Sequence, residues 1–195
     1  MCSRFEIDGE SDHLEERFDL DEMPPGYMAM PEVRPTNAVP VIDHDRRAIM
    51  MRWGLETSWD NKPLINARAE TLAQKKTFVP LLGNRLLVPA SAYFEWRRDV
   101  SAKIKTRIAR RDGELFAFAG LTDGKAFTIV TCVPSPEIAY IHTRMPVILK
   151  PEDEAAWLDP DAEFGHVAPL LAPYPGALLE AREVAPPPPR QGQLL

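Results

Sequence analysis

The sequence predicts an α+β fold: a single domain built on a strongly bent, mostly antiparallel, barrel-like β-sheet with short flanking helices. Three observations carry this. Strand-like runs are numerous and short, and turn residues separate them. Helical periodicity is confined to brief stretches, and no internal repeat interrupts the pattern. The 195 residues, 45% hydrophobic and 27% charged, suit one core that needs neither metal nor disulfide to be stable.

Taken in chain order, residues 6–22 carry nine carboxylates and one arginine, Arg17. This reads as the solvated face of a short helix in preference to an interaction tail. A proline-rich connector, Met23–Pro40, leads into strands at Ala38–Ile42 and Arg47–Leu55 with a His-Asp turn between them. From Asn66, NARAETLAQKKTF places Ala, Leu and Phe at helical spacing. Gly83-Asn84 marks a turn, and RLLVPASAYFEW follows as one apolar, aromatic-rich strand run. Lys103–Ala109 and Leu115–Leu121 read as antiparallel strands joined by a hairpin at Arg111-Asp112-Gly113. Ala126–Val133 is a further strand, ended by Pro134-Ser135-Pro136. Glu152–Trp157 opens a helix after Pro151, with acidic residues in its first turn. The domain is expected over 1–184, and the Pro-rich stretch 185–195 is expected to be polyproline-like or disordered.

Composition excludes several classes. Two cysteines, Cys2 and Cys132, make neither a disulfide framework nor a four-thiolate zinc site, and a reducing cytoplasm is expected. No apolar run reaches the length of a membrane span, and the N-terminus lacks the apolar core of a secretory signal. The net charge of −6 disfavours an extended non-specific nucleic-acid binder but says little about a local basic groove.

Four segments carry residues suited to chemistry: MCSRF at the start, INARAET at 65–71, VPASAYFEW at 88–96 and IHTRMPVIL at 141–149. They supply Cys2, Asn66, Glu95 and His142. Cys2 follows the initiator, and methionine removal is favoured before a small side chain. The mature terminus then joins a thiol (about 8.5) and an α-amine (about 7.7 to 8.0), both partly unprotonated near neutrality. A 1,2-aminothiol suits an aldehyde: the amine forms an imine, the thiol adds to the same carbon, and a thiazolidine ring closes in an intramolecular step. The bland alternative is a small residue tolerated at a frayed terminus. Glu95 is either solvent-facing or buried with partners among its aromatic neighbours. His142 fits a packed loop residue as well as an acid–base group, although His13, His44 and His166 lie in more polar surroundings. Asn66 equally suits a helix cap.

Together the four segments resemble the family named for SOS response-associated peptidases. Its pattern is Met-Cys-Gly-Arg-Phe, Asn-Ala-Arg-Ala-Glu-Thr, Pro-Ala-Ser-Gly-Phe-Tyr-Glu-Trp and His-x-Arg-Met-Pro-Val-Ile-Leu. Here these stand as Met1–Phe5, Asn66–Thr71, Pro89–Trp96 and His142–Leu149, in the same order. Trp53-Gly54-Leu55 and Phe118-Ala119-Gly120-Leu121 match two further family segments, and the likeness extends to about Trp157.

The resemblance implies a monomeric sensor and shield for abasic sites in single-stranded DNA, cytoplasmic and nucleoid-associated when bound, with no cofactor or metal. It implies that Cys2 forms the covalent link and that Asn66 holds the terminus and the sugar. Glu95 would orient or deprotonate the α-amine, and His142 would act on the sugar hydroxyl. Arg4, Arg68 and Arg144 suit phosphate binding. Trp53 and Phe94 offer stacking surfaces, with core packing the stronger reading for both. The basic run Arg97, Arg98, Lys103, Lys105, Arg107, Arg110 and Arg111 either flanks a DNA path or forms a solvated face. A cysteine peptidase limited to self-processing, or acting on another peptide, is the alternative function. Ser3 replaces the family Gly after the cysteine, Ala92-Tyr93-Phe94 replaces Gly-Phe-Tyr, and Cys132-Val133 stands where the family commonly has Ala-Asn.

Overall fold

A computed structural model describes residues 2–99 and 102–185. In chain order it contains β1 Arg4–Ile7, α1 Ser11–Phe18, β2 Met30–Val33, β3 Ala38–Ile42, β4 Ala48–Trp53 and β5 Asn66–Arg68. These are followed by β6 Arg85–Ala90, β7 Ala92–Arg98, β8 Lys103–Arg110, β9 Phe116–Thr122 and β10 Ala126–Cys132. The chain continues through β11 Met145–Pro146, β12 Ile148–Leu149, α2 Pro151–Leu158, α3 Phe164–Val167 and β13 Leu179–Glu183.

Five strands close on themselves. The order β10-β4-β3-β6-β9 returns to its start because β9 also pairs with β10. Closure leaves these strands no free edge. Every pair in the ring is antiparallel except β4 with β10, where Ala126 lies opposite Arg52 and Phe127 opposite Trp53. β6, β9 and β10 are buried along their whole lengths, because other layers cover the outside of the barrel. Gly120 permits this density: a Cβ there would stand 2.9 Å from Val88 Cγ2. The short strands β5, β11 and β12 extend the barrel sheet along β9 and β10.

A second, wholly antiparallel sheet runs β13-β8-β7-β1-β2. The chain crosses from barrel to second sheet at Ser91, between β6 and β7. That crossing is pinned: Ser91 Oγ accepts the Asp8 N–H at 3.0 Å and donates to Glu6 Oε1 at 2.9 Å. Glu6 in turn takes Nε and Nη2 of Arg107 at 3.0 and 2.5 Å. Helix α1 buries Leu14 and Phe18 and turns its acidic face outward, while Arg17 holds Glu154 of α2 through two hydrogen bonds. Pro151 starts α2, and Trp157 sinks into the core with its indole N–H on the Leu86 carbonyl at 3.0 Å.

The α+β, bent and barrel-like expectation agrees with this architecture, and three details differ. The stretch after Asn66 is not an α-helix: Asn66–Arg68 pairs in parallel with β10, and a 3₁₀ helix, Ala69–Gln74, follows. Pairing with β10 claims the backbone groups that a helix would need. The turn at residues 111–113 exists, with Gly113 at φ +78°, but it does not join a hairpin. β8 pairs with β7 and β13, whereas β9 pairs with β6, β10 and β12, so the turn passes the chain from one sheet to the other. The run 85–96 is two strands in different sheets, because Ser91 redirects it. Of the tail expected at 185–195, residues 186–195 lie outside the described residues.

Candidate active site

β1 carries the N-terminal segment along β7, with Arg4 opposite Phe94 and Phe5 opposite Tyr93. This pairing carries Cys2 along β7 to the neighbourhood of Glu95, at the middle of that strand. Cys2 is fully buried, and its thiol donates to the Arg4 carbonyl at 3.4 Å. Burial, reinforced by the charge of Glu95, pushes that thiol far above the ordinary cysteine range. It is therefore a protonated thiol at neutral pH in this structure.

Asn66 fixes the same residue from the opposite side. Its Nδ2 donates to the Cys2 carbonyl at 2.7 Å. Three residues of β5, pressed against Ile129–Thr131, hold the amide there, and its Oδ1 is buried without a hydrogen-bond partner among the described residues. An unanswered acceptor beside Cys2 is matched to a donor such as an amine or a sugar hydroxyl.

Glu95 is 3% exposed. Burial raises its carboxyl to about 7, so it is poised between acid and base near neutral pH. His142 Nδ1 stands 3.8 Å from Glu95 Oε1 and accepts the Arg144 backbone N–H at 3.1 Å. Burial also lowers the imidazole, which keeps it neutral at pH 7. A cleft of 390 Å³ opens over this group, lined by Ser3, Arg4, Glu95, Trp96, Arg98, Lys103 and His142. Ser3, the residue after Cys2, lines the cleft, while Cys2 itself is buried and does not.

The structure thus brings Cys2, Asn66, Glu95 and His142 to one place from four separate segments. The expected DNA contacts fall out differently. Arg4 lines the cleft, donates to the Ser3 carbonyl at 2.7 Å and lies 3.4 Å from Glu32. Arg68 is exposed at the end of β5. Arg144 is engaged inside the protein: it forks onto Glu70 at 2.7 and 2.9 Å and reaches the Thr131 carbonyl at 2.6 Å. Its guanidinium therefore braces the His142 loop against the 3₁₀ helix. Trp53 is fully buried, edge-on to Phe5 at 5.0 Å, with its N–H on the Ile65 carbonyl. Phe94 is 4% exposed beneath the Lys105 ammonium, 4.1 Å from the ring centroid. Core packing accounts for both rings. Sequence reasoning missed Ser3 as a wall of the cleft and Trp96 beside it. Within the basic run it did not separate Arg98 and Lys103, which line the cleft, from Arg107, which serves Glu6. No group of three or more His, Cys, Asp or Glu able to hold a metal occurs among the described residues.

The SOS response associated peptidase (SRAP) family matches residues 1–187. The chain belongs to this family. The Abasic site processing protein YoqW of Bacillus subtilis is 38% identical over 207 aligned positions, covering 95% of this chain and 92% of that one. The Abasic site processing protein YedK of Escherichia coli is 34% identical over 116 positions, covering 54% of this chain and 52% of the other. A crystal structure of a protein from Bordetella bronchiseptica superposes with a TM-score of 0.83 at 24% identity, covering 94% of this chain and all of that one. That last likeness establishes a shared fold.

Proposed function

We propose that this SRAP protein, once Met1 is removed, processes abasic sites by crosslinking Cys2 to the sugar aldehyde in single-stranded DNA. The grouping of Cys2, Asn66, Glu95 and His142, with Glu95 and His142 lining the cleft and Asn66 bonded to the buried Cys2, carries the reading, and the names of its full-length relatives, abasic site processing proteins, support it.

The chemistry follows from the protonation states. A buried thiol held well above its usual range is a poor first nucleophile, so the α-amine of mature Cys2 attacks the aldehyde carbon. Glu95, near 7, accepts the proton that makes the amine nucleophilic. The carbinolamine loses water to give the imine. The thiol then adds across the C=N bond, forming C–S while its proton passes to nitrogen, with the Glu95 carboxylate as carrier. One water is released overall and a thiazolidine remains. Neutral His142 moves the proton at the sugar hydroxyl when the cyclic deoxyribose opens to its aldehyde. Asn66 holds the terminus still through the Cys2 carbonyl and offers Oδ1 to the amine. Arg4, Arg68, Arg98 and Lys103 supply positive charge for the strand.

The test is a denaturing gel of protein incubated with abasic single-stranded oligonucleotide. Wild type gives a heat-stable adduct without reductant. Cys2→Ser keeps the amine but cannot close the sulfur ring, so its adduct survives only after borohydride trapping. A heat-stable Cys2→Ser adduct in equal yield overturns the proposal. The peptidase reading rests on the family description, and the protonated, buried thiol counts against a thiolate attacking peptides.

A further inference from the structure

A second cleft, of 380 Å³, continues from the first. It shares Trp96, Arg98 and His142 with it and is otherwise walled by residues 139, 140, 141 and 143. The loop that forms this wall is rigidly seated. A 3₁₀ turn at Pro136–Ile138 precedes it, Ile138 and Ile141 are 5% and 4% exposed, and the Ile141 N–H bonds to the Ile138 carbonyl at 3.0 Å. These two anchors leave the two residues between them outward, and Tyr140 stands 64% exposed. An aromatic side chain in that position contributes nothing to the core.

The rim between the clefts holds a further anomaly. Arg98 and Lys103 are direct cross-strand partners in the β7–β8 register, and both line the first cleft. Two cations opposite one another on a sheet repel, a cost that an anion between them converts into attraction. In a nucleic-acid strand each phosphate sits between one sugar and the next, so a phosphate held there carries the neighbouring nucleotide over Tyr140.

We propose that the second cleft is a subsite for the nucleotide next to the abasic one, its base stacked on Tyr140 and the intervening phosphate held by Arg98 and Lys103. This rests on the reading of the first cleft as the site of the abasic sugar. Stacking on a ring is sequence-tolerant but needs a base, so the subsite distinguishes a base from its absence.

Fluorescence anisotropy with a single strand containing one tetrahydrofuran abasic analogue tests it, because that analogue has no aldehyde and reports binding alone. Its neighbour on each side is adenine or a second tetrahydrofuran. Wild type binds about tenfold more tightly when one particular side carries adenine. Tyr140→Ala removes that preference and Tyr140→Phe, which keeps the ring, retains it. Since Tyr140 is exposed, both variants melt within about 2 °C of wild type. A preference that survives Tyr140→Ala, or a wild type that binds both strands equally or neither, overturns the proposal. If the preference holds but natural abasic DNA yields no covalent adduct, the crosslinking reading fails and the subsite stands.

Discussion

Arg85 and Glu95 lie ten residues apart on one continuous run of chain, and both are almost completely buried. Arg85 is at the barrel end and Glu95 is at the cleft. The guanidinium of Arg85 is fully employed. It donates to the carbonyls of Trp157 at 2.6 Å, Leu82 at 2.7 Å and Ala162 at 3.0 Å, reaches that of Asp159 as well, and lies over the Trp157 ring. It closes the C-terminal end of α2, where unsatisfied carbonyls collect. Glu95 is held instead where burial drives its carboxyl to about 7, facing Cys2 and His142. Burial with a complete set of partners makes a structural charge. Burial that leaves a group near neutrality, beside an open cleft, makes a chemical one.

Substitutions at the two positions should separate along that line. Arg85→Ala removes a buried guanidinium and the donors to four carbonyls and is expected to cost about 3–5 kcal/mol, read as a lower urea midpoint. A loss under 1 kcal/mol would place Arg85 among ordinary surface residues and dissolve the contrast.

Glu95→Gln should act in the opposite sense on stability. Its folded value is raised, so the neutral form is the one the fold favours. Wild-type stability is therefore fully present below the unfolded value and declines as pH rises through about 7. The decline amounts to roughly 3 kcal/mol, and the glutamine variant should show a flat profile from pH 4.5 to 7.5. Crosslinking should fall in the same variant, and its rise with pH should move from about 7 towards the α-amine range, about 7.7 to 8.0. Identical pH profiles for wild type and variant would remove Glu95 from the proton transfers.

A smaller effect tests the brace behind His142. Arg144→Lys loses the fork onto Glu70, whose carboxyl the Arg144 hydrogen bonds hold below its usual range, and should cost about 1 kcal/mol. The Glu70 titration followed by NMR would rise towards the ordinary glutamate range; an unmoved titration would show that the pair is idle.

The smallest change is expected at Tyr93, whose hydroxyl is buried without a hydrogen-bond partner among the described residues. Tyr93→Phe keeps the ring against Phe118 and should change stability by less than about 0.5 kcal/mol, measured by thermal melt. A large loss would reveal a bond made by this hydroxyl.

Much of this was legible in the sequence. β3 was placed to the residue, and β4, β10 and α2 were placed within one or two residues, because alternation, prolines and acidic first turns are local signals. The four grouped residues, Cys2, Asn66, Glu95 and His142, came from motifs. The barrel-like bend was legible, but the strands that close it were not, since the parallel β4–β10 pair joins residues more than seventy positions apart. The Arg111-Asp112-Gly113 turn has hairpin chemistry but lies between sheets, a choice made by the partners of β8 and β9. Core packing of Trp53 and Phe94 was legible, whereas the exposure of Trp59 and Tyr140 was not, because only tertiary packing decides it.

The central claim is that the mature terminus, and not a lysine, joins the DNA. Peptide mass spectrometry of the adduct formed with abasic single-stranded DNA tests it most directly. The account predicts an N-terminal peptide beginning at Cys2, without Met1, carrying the sugar with the loss of one water and stable to heat without reduction. An adduct mapped to a lysine, or one formed while Met1 remains in place, would contradict it.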